Sequence, residues 1–393
     1  MLEYLSMRIG LITHNYPASK DDRQNAGIFV YDIAHAIQKL GHQVFVLCLD
    51  AGGKSEKDVV PVTWFSPIGG KKKLGQIQFF NPLDWVLFFS LLVLGFRATS
   101  RFCKDYKIDF CIAMWAFPAG VFALWANIVK MVPYTIWALG SDIYIYARYP
   151  ILGTLIEIAL KKAKFIIADG IDLARQTGKL AKRHCQFLPS ASQMPHQSKL
   201  TVKKEGPLKL MFLGRMEPVK GLDVLIEAIS KVKDLDFELH CLGDGSLLPS
   251  LKEKISDLGL QKKVVFYGNV NDPKLIYNRL LLSDWLVIPS RSDSIPLVFS
   301  ESMKANLPVI VAEVGDMVEL VKKYGVGFSF PREDSRKLAV ILKDVIKKGR
   351  VLIRPYQQKT KKAAEIFDVN VSAESLLTMI QNGQTKSLDI TPI

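Results

Sequence analysis

Two basic residues follow an apolar run in the second half of the chain. Arg215 comes directly after PLKLMFLG (207–214), and Lys220 comes five residues later, where a helical pattern begins. Arginine offers a planar fork to a phosphate, and lysine offers a compact point charge. Free N–H groups at the start of the helix would bind the same anion. The pattern therefore predicts a diphosphate site without a metal ion, and a solvated basic loop is the alternative.

Two carboxylates flank a second apolar run further along the chain. In SRSDSIPLVFSESMKANLPVI (290–310), Asp293 precedes the residues IPLVF and Glu301 follows them. A carboxylate readily accepts hydrogen bonds from a pair of sugar hydroxyls. The two acids therefore suit a ligand with hydroxyl groups at both ends, and two solvated acids on an amphipathic helix are the alternative.

A helix is expected between these acids. Ser294 is a suitable N-cap, and Asn306 suits a left-handed residue that ends the helix. The amides of Leu297 and Val298 would then belong to the unpaired first turn and could receive an anion. Hydroxyl-binding acids on either side of anion-binding amides together describe a site for a nucleotide sugar.

A glycine and a histidine follow the first apolar run of the chain. After MRIGLIT (7–13) comes a long loop, and the next helical pattern starts at about Ile28. Gly27 lies at the mouth of that helix, where a residue without Cβ lets a phosphate approach the backbone. His14 directly follows the run and could reach a substrate, although a lone histidine is more often structural.

Apolar runs that resemble strands recur along the chain, with helical patterns between them. In the first half they are MRIGLIT (7–13), QVFVLCL (43–49), DFCIAM (109–114), PYTIWAL (133–139) and KFIIAD (164–169). In the second half they are PLKLMFLG (207–214), DFELHCLG (236–243), KVVFYGNV (263–270), DWLVIPS (284–290) and LPVIVAE (307–313). This rhythm predicts an α/β protein with two tandem doubly wound Rossmann-like domains that face each other across a cleft.

A polar stretch separates the two series of runs and sets the expected domain limits. We expect the first domain over residues 1–195, a linker over 196–207 and the second domain over 208–366. A C-terminal helix and tail would occupy 367–393, with the helix able to pack back on the first domain.

Composition and charge limit the class of protein. The chain has 393 residues, with 52 Lys and Arg against 38 Asp and Glu, and a net charge of +14. This surplus favours anionic partners such as phosphorylated ligands or an acidic membrane surface. No CxxC pair, HExxH motif or suitable GxGxxG motif is present, which argues against a metal site and a dinucleotide dehydrogenase. Nucleic acid is the least favoured partner, because no basic stripe is interleaved with aromatic residues.

One apolar segment bears on localisation. The run WVLFFSLLVLGF, Trp85 to Phe96, would span about 18 Å as a helix, too short for a bilayer core of roughly 30 Å. A buried helix and a helix that docks on a membrane both stay open as interpretations. The cations near enough to meet anionic lipid are Lys71, Lys72, Lys73, Arg97 and Arg101. No signal peptide is recognised, so we expect a cytoplasmic protein, with a peripheral position on the inner membrane face as an option.

The segments that hold these residues resemble a known family, the retaining glycosyltransferases of family four, or glycosyl transferases group 1, which have the GT-B fold. In the second half the resemblance rests on GRMEPVKGLDVLIEAI, LGDGSLLPSLKEKISDLGL, VVFYGNV and SRSDSIPLVFSESMKANLPVIVAEVGDMVELV. In the first half it rests on NAGIFVYDIAHAIQKLGHQVFVL, MWAFPAG and WALGSDIY. The specific feature is Gly-Arg-x4-Lys-Gly combined with an acid, seven residues and a glutamate.

The resemblance implies catalytic and donor-binding roles for the matching residues. Arg215 and Lys220 would hold the donor diphosphate and stabilise the leaving nucleotide, with Asp293 at the transferred sugar. Glu301 would bind the ribose hydroxyls of the donor. The amides offered to the phosphates would be those of Leu297 and Val298.

Three further residues receive roles from the same resemblance, and His14 joins them only because it directly follows the first apolar run. Gly27 would close over the diphosphate from the first domain, and Val270 would lie against the base. His14 and Asp142 are the candidates on the acceptor side.

The chain departs from the family pattern at a few positions. Asp293 stands where a glutamate is usual, and it is one methylene shorter. Asp316 replaces the second glycine of a usual pair, and with Glu319 it predicts a capping box. Leu139 stands where a histidine is common, so one usual contact is missing.

The expected protein is a metal-independent hexosyltransferase with no cofactor beyond its nucleotide-sugar donor, UDP-linked by preference. The acceptor would be a lipid-linked or cell-surface polysaccharide, as suggested by the basic first half and the apolar helix. Two alternatives stay open. One is a non-catalytic GT-B subunit that binds a sugar nucleotide or a partner. The other is a sugar-nucleotide epimerase, for which acid and base residues are not found.

Overall fold

The computed structural model describes residues 6–17, 27–50, 59–68, 82–191, 206–270 and 272–382. The chain divides into two compact units: unit 1 comprises Met1–Ser190 and Val369–Ile393, and unit 2 comprises Ala191–Asp368. Each unit holds a parallel β-sheet with helices between its strands, so the predicted two-domain α/β fold is confirmed. The division falls five residues before the expected end of the first domain. Residues 196–205 of the expected linker lie outside the described residues.

The described part of unit 1 contains one parallel sheet. Its strands are β1 (Arg8–Thr13), β2 (Gln43–Leu49), β3 (Val62–Phe65), β4 (Phe110–Met114), β5 (Tyr134–Ala138), β6 (Ile166–Ala168) and β7 (Gln186–Phe187). They pair in the order β3-β2-β1-β4-β5-β6-β7. The strand order reverses between β1 and β4, and ligands of such sheets bind outside the carboxyl ends at this point. All five predicted runs are strands, whereas the short β3 and β7 were not predicted.

Helices connect the strands of unit 1. They are α1 (Ile28–Lys39), α2 (Pro82–Asp105), α3 (Val121–Lys130), α4 (Ser141–Tyr144), α5 (Pro150–Lys162) and α6 (Ile171–Ala181). Helix α1 begins at the predicted residue. An irregular turn, Ala116–Gly120, leads from β4 into α3, and Gly120 N donates to the carbonyl oxygen of Trp115 at 3.1 Å.

Helix α2 has 24 residues and is twice as long as the apolar run that predicted it. It continues because RATSRFCKD contains neither proline nor glycine. Among the described residues, only its segment Trp85–Asp105 is long and apolar enough to cross a membrane, judged by length and composition alone. Its inner face is buried in unit 1 through Leu87, Leu91 and Phe102. The prediction of a twelve-residue helix is therefore wrong, and α2 is a core helix with an exposed outer face.

Unit 2 is built in the same way. Its strands are β8 (Leu208–Leu213), β9 (Phe237–Leu242), β10 (Val264–Phe266), β11 (Trp285–Ile288), β12 (Val309–Ala312) and β13 (Gly327–Phe330). They pair in parallel in the order β10-β9-β8-β11-β12-β13, so the order reverses between β8 and β11. The helices are α7 (Leu222–Ser230), α8 (Leu248–Asp257), α9 (Pro273–Leu282), α10 (Leu297–Lys304), α11 (Met317–Tyr324), α12 (Ser335–Lys348) and α13 (Ile353–Ala364).

The last helix of the chain, α14 (Val369–Asn382), belongs to unit 1. It packs against α1, and Lys164 Nζ donates to the carbonyl oxygen of Ile380 at 2.7 Å. Leu376 and Leu377 of this helix are buried. The expected tail, residues 383–393, lies outside the described residues.

Candidate active site

The loops that follow β8, β11 and β12 meet at the carboxyl edge of the unit 2 sheet. Gly221 has a φ of 68°, and a Cβ at this position would lie 2.0 Å from the carbonyl oxygen of Pro289. Gly315 has a φ of 54°, and its Cβ would lie 2.1 Å from the carbonyl oxygen of Asp293. No side chain fits at such distances, so glycine is required for these close approaches. The loops that carry the predicted polar residues are thereby brought together.

Lys220 and Asp293 form an ion pair at this edge. Lys220 Nζ donates to both carboxylate oxygens of Asp293 at 2.8 Å. The two side chains are only 20% and 18% exposed, so the pair is screened less than a surface pair. Two of the three residues predicted to carry the chemistry therefore contact each other directly.

Arg215, the third of these residues, follows β8 and is exposed. Within the described ranges its guanidinium makes no hydrogen bond or ion pair, so its fork is open to an anion. The neighbouring Glu217 accepts hydrogen bonds from Ser246 N at 3.0 Å and Ser246 Oγ at 2.6 Å. These bonds hold the loop after β9 against the loop that bears Arg215.

Helix α10 presents its first turn without a side-chain cap. It begins at Leu297 after Pro296, and among the described residues the amides of Leu297 and Val298 have no hydrogen-bond acceptor. Glu301 lies one turn further along the helix and is half-buried. Asn306 follows the helix with a φ of 52°, as predicted. The two amides and the acid thus lie in the order that the sequence suggested.

The predicted N-cap role of Ser294 is wrong. Its Oγ donates to Asp316 Oδ2 at 3.0 Å, and its carbonyl accepts the Asp316 N–H at 3.3 Å. The Asp316 side chain makes no cap hydrogen bond to the first turn of α11, so this half of the predicted capping box with Glu319 is not formed. The serine hydroxyl satisfies the buried Asp316 carboxylate instead. Asp316 therefore fixes the position of Ser294, which directly follows Asp293.

Val270 lies after β10 and is half-buried. The loop that carries it is tied to the loop after β9, because Gly243 N donates to the carbonyl oxygen of Gly268 at 2.8 Å. The contact of Val270 with a base stays a prediction.

In unit 1, Gly27 closes the loop after β1 onto the start of α1. A Cβ on Gly27 would lie 2.4 Å from the carbonyl oxygen of Asn15 and 3.0 Å from Tyr16 N. The close approach at this helix mouth is between two parts of the chain, whereas the sequence predicted an approach by a phosphate. Closure over a diphosphate stays a prediction.

His14 lies at the carboxyl end of β1, in contact with the residue that follows β4. Its ring centroid is 4.4 Å from that of Trp115, with an angle of 54° between the ring planes. His14 Nδ1 is shielded from solvent and has no hydrogen-bond partner among the described residues. Burial lowers the pKa of His14 to about 4, so the imidazole is neutral at physiological pH.

Asp142, the other candidate on the acceptor side, is fully buried. Its Oδ2 accepts from Ala116 N at 2.6 Å, and its Oδ1 accepts from Gly140 N at 2.9 Å and Ile143 N at 3.1 Å. Burial raises the pKa of Asp142 to about 6, although these hydrogen bonds oppose the rise. The carboxylate of Asp142 is therefore directed at backbone amides of the chain, and its role on the acceptor side stays a prediction. The carboxylate joins the ends of β4 and β5, next to the turn that Trp115 begins.

Replacing His14 by glutamine is expected to change how stability depends on pH. Between pH 6.5 and about 4, the unfolded chain binds a proton at His14 that the folded protein does not. Stability from this group is therefore present above pH 6.5 and is lost as the pH falls towards 4. The full difference amounts to about 3 kcal/mol. We expect the Tm of the native protein, relative to His14→Gln, to rise from pH 4 to 6.5 and then stay level in calorimetry.

The matched control is His184→Gln, because His184 is an exposed histidine of the same unit. The pH dependence measured with His14→Gln should exceed the one measured with this control. Parallel Tm curves for the native protein and His14→Gln would contradict the prediction.

Arg291 is a site residue that the sequence patterns did not reveal. Its guanidinium donates to both carboxylate oxygens of Asp223, at 2.9 and 2.7 Å, and to Glu333 Oε1 at 2.7 Å. It also donates to the carbonyl oxygen of Pro218. We call these four groups the Arg291 cluster. In the sequence, Arg291 appears only as a basic residue two positions before Asp293, and Asp223 only as an acid in the first turn of α7. Neither position indicates that the two side chains pair.

The fold and the site define a class of protein. Each unit has the parallel α/β sheet that the sequence resemblance implied. The pairing of Lys220 with Asp293 is an addition from the structure. Residues 194–366, which include most of unit 2, match the family model described as Glycosyl transferases group 1, and this match supports the resemblance to that family.

Individual relatives extend the similarity over both units. A protein of Bacillus subtilis (strain 168) named for teichuronic acid biosynthesis, the glycosyltransferase TuaC, is 25% identical over 347 residues, which are 81% of this chain and 84% of the relative. The structure of Anabaena HepE in complex with UDP has a TM-score of 0.72 at 16% identity and covers 96% of this chain and 100% of HepE. WaaG, a glycosyltransferase involved in lipopolysaccharide biosynthesis, has a TM-score of 0.62 at 15% identity and covers 95% of this chain and 100% of WaaG. The two structures identify the fold as GT-B.

Proposed function

We propose that the protein is a retaining glycosyltransferase that moves a hexose from a UDP-linked donor to a lipid-linked or cell-surface polysaccharide acceptor. The observation that carries this proposal is the Lys220–Asp293 ion pair at the carboxyl edge of the unit 2 sheet. A lysine suits the diphosphate, and an aspartate suits the hydroxyl groups of the transferred sugar. The pair would therefore lie at the bond that breaks.

The remaining residues of unit 2 fit the rest of the donor. Arg215 has an open guanidinium fork for the diphosphate, the first-turn amides of α10 provide further donors, and Glu301 suits the ribose hydroxyls. Two cations held by the protein oppose the charge that develops on the departing nucleotide. The proposed reaction therefore uses neither a metal ion nor a separate cofactor.

The identity of the base and the acceptor is supported by the names of the relatives. HepE is in complex with UDP, and WaaG is named for lipopolysaccharide biosynthesis. A uridine donor and a lipid-linked acceptor are therefore the first pair to test. A retaining outcome rests on the family resemblance and would be read from the anomeric configuration of the product.

A thermal-shift screen tests the donor. We expect UDP-sugars to raise the Tm more than GDP- or ADP-sugars, because a ligand that binds only the folded state stabilises it by about 2.7 kcal/mol at one hundred times its Kd. If only GDP- or ADP-sugars raised the Tm, the donor would carry that base in place of uracil. The absence of a shift with every nucleotide sugar would reject the proposed donor site. A donor that binds but is never consumed would favour the non-catalytic subunit.

The outer face of α2 supports a peripheral position on an anionic membrane. Phe89 and Val93 are 58% and 56% exposed on this face. Arg97 and Arg101, also exposed, continue the same four-residue spacing along the helix. An apolar stripe followed by cations suits the boundary between acyl chains and anionic headgroups. This contact would place a cytoplasmic enzyme beside a lipid-linked acceptor. Lys71, Lys72 and Lys73 lie outside the described residues.

Flotation with lipid vesicles tests the membrane contact. We expect Val93→Glu to bind vesicles of phosphatidylcholine and phosphatidylglycerol about tenfold more weakly, because a carboxylate cannot enter the apolar layer and is repelled by anionic lipid. The matched control is Val340→Glu on α12, since Val340 is 65% exposed but lies in unit 2. Equal binding by the native protein and both variants, or no dependence on phosphatidylglycerol, would reject the contact.

A further inference from the structure

The Arg291 cluster joins the same two loops whose tips form the Lys220–Asp293 pair. Arg291 lies two residues before Asp293, and its backbone N–H donates to the carbonyl oxygen of Val219 at 2.8 Å. Its side chain reaches the carbonyl of Pro218, so it holds two successive residues of the turn that ends at Lys220. The loop after β11 is therefore bonded to the turn Pro218–Lys220, which we call the lysine turn.

The donors of Arg291 are occupied by protein acceptors. The two terminal nitrogens of the guanidinium donate to the two carboxylate oxygens of Asp223. Nε donates to Glu333 Oε1, and one terminal nitrogen also donates to the carbonyl oxygen of Pro218. The side chains of Arg291 and Asp223 are 26% and 33% exposed. Burial alone would raise the pKa of Asp223, but the hydrogen bonds and charge of Arg291 lower it below the usual value. The cluster is thus an ionised network rather than an open anion site.

We propose that Arg291 is a positioning residue of the transfer reaction, which sets the place of the Lys220 ammonium group without touching the donor. This inference rests on the proposed function of the Lys220–Asp293 pair. A planar guanidinium can bind a carboxylate with two parallel bonds and reach a carbonyl and a second acid at the same time. A lysine has the same charge but cannot keep this geometry. Displacement of a catalytic group by about 1 Å can lower a rate by about two orders of magnitude.

The first test compares Arg291→Lys in two backgrounds. In the native protein we expect kcat to fall by about 10- to 100-fold. In a Lys220→Ala background we expect a further loss of less than about threefold, because Arg291 acts through Lys220. Equal losses in both backgrounds would mean that Arg291 acts on the donor independently, and would overturn the proposal.

Arg350 provides the matched control at the opposite end of β11. Its guanidinium binds both oxygens of Asp284 at 3.1 Å and the carbonyls of Gly206 and Pro207. Arg350→Lys should lower the Tm like Arg291→Lys but leave kcat unchanged. Asp223→Asn is a second variant that weakens the cluster from its other side, and it should lower kcat in the same direction as Arg291→Lys. An unchanged kcat in both Arg291→Lys and Asp223→Asn would overturn the proposal.

The second test needs no donor and separates this inference from the proposed function. Hydrogen exchange of the peptide that spans 216–224 should be faster in Arg291→Lys than in the native protein and in Arg350→Lys. Unchanged exchange would reject the positioning role even if transfer is observed. Faster exchange in a protein that transfers no sugar would support the contact between Arg291 and the lysine turn. In that case only the proposed function would be rejected.

Discussion

Lys220→Ala is expected to lower the rate of sugar transfer by about two orders of magnitude or more. The substitution removes the partly buried cation that would oppose the charge on the leaving diphosphate. It also leaves the Asp293 carboxylate, which is 18% exposed, without the ammonium group that contacts both of its oxygens. The measurement is steady-state kcat with the donor identified by the thermal-shift screen.

The matched control for Lys220→Ala is Lys263→Ala. Lys263 is a partly buried lysine of the same unit whose Nζ donates to the carbonyl oxygen of Leu235 at 2.7 Å. It lies at the amino end of β10, away from the candidate site, so its loss should leave kcat unchanged. Transfer by Lys220→Ala at the native rate would remove Lys220 from the mechanism.

Gly221→Ala is expected to destabilise unit 2 by about 3 kcal/mol and to abolish most of the transfer activity. A φ of 68° is unfavourable for alanine, and the new Cβ would lie 2.0 Å from the carbonyl oxygen of Pro289. One of the two loops must move, and Lys220 precedes the substituted residue. The measurements are urea-induced unfolding and kcat.

Gly259→Ala separates the two causes of this effect. Gly259 has a nearly identical φ of 69°, but no atom lies within 4 Å of the position of its Cβ. This variant should lose only about 1 kcal/mol, which is the cost of the backbone conformation, and it should keep its activity. Equal destabilisation by the two substitutions would show that the contact with Pro289 is unimportant.

Most strands could be located in the sequence because parallel strands are buried on both faces. Phe110–Met114, for example, is buried throughout and reads as an uninterrupted apolar run. The strands that were missed are short. Gln186–Phe187 has only two residues, and Gly327–Phe330 is half-exposed over three of its four. Segments of this kind carry too little periodicity to be distinguished from loops.

The residue types at the site were also accessible, but their pairing was not. Local rules place Lys220 after a strand and Asp293 before a helix, yet nothing local indicates that they bind each other across 73 positions. Ser294 shows the same limit, since N-cap propensity is a local rule and a buried Asp316 overrides it. Asp142 follows a strand as substrate contacts often do, but its carboxylate is needed by backbone amides of the chain itself.

The place of α14 in unit 1 has a consequence for the order in which the protein is completed on the ribosome. Unit 2 is one continuous stretch, Ala191–Asp368, whereas unit 1 needs residues from both sides of it. All of unit 2 is therefore synthesised before α14 exists, and during that interval α1 lacks the helix that packs against it. Although domains usually mature from the N-terminus onwards, here the second unit is the first that can finish folding.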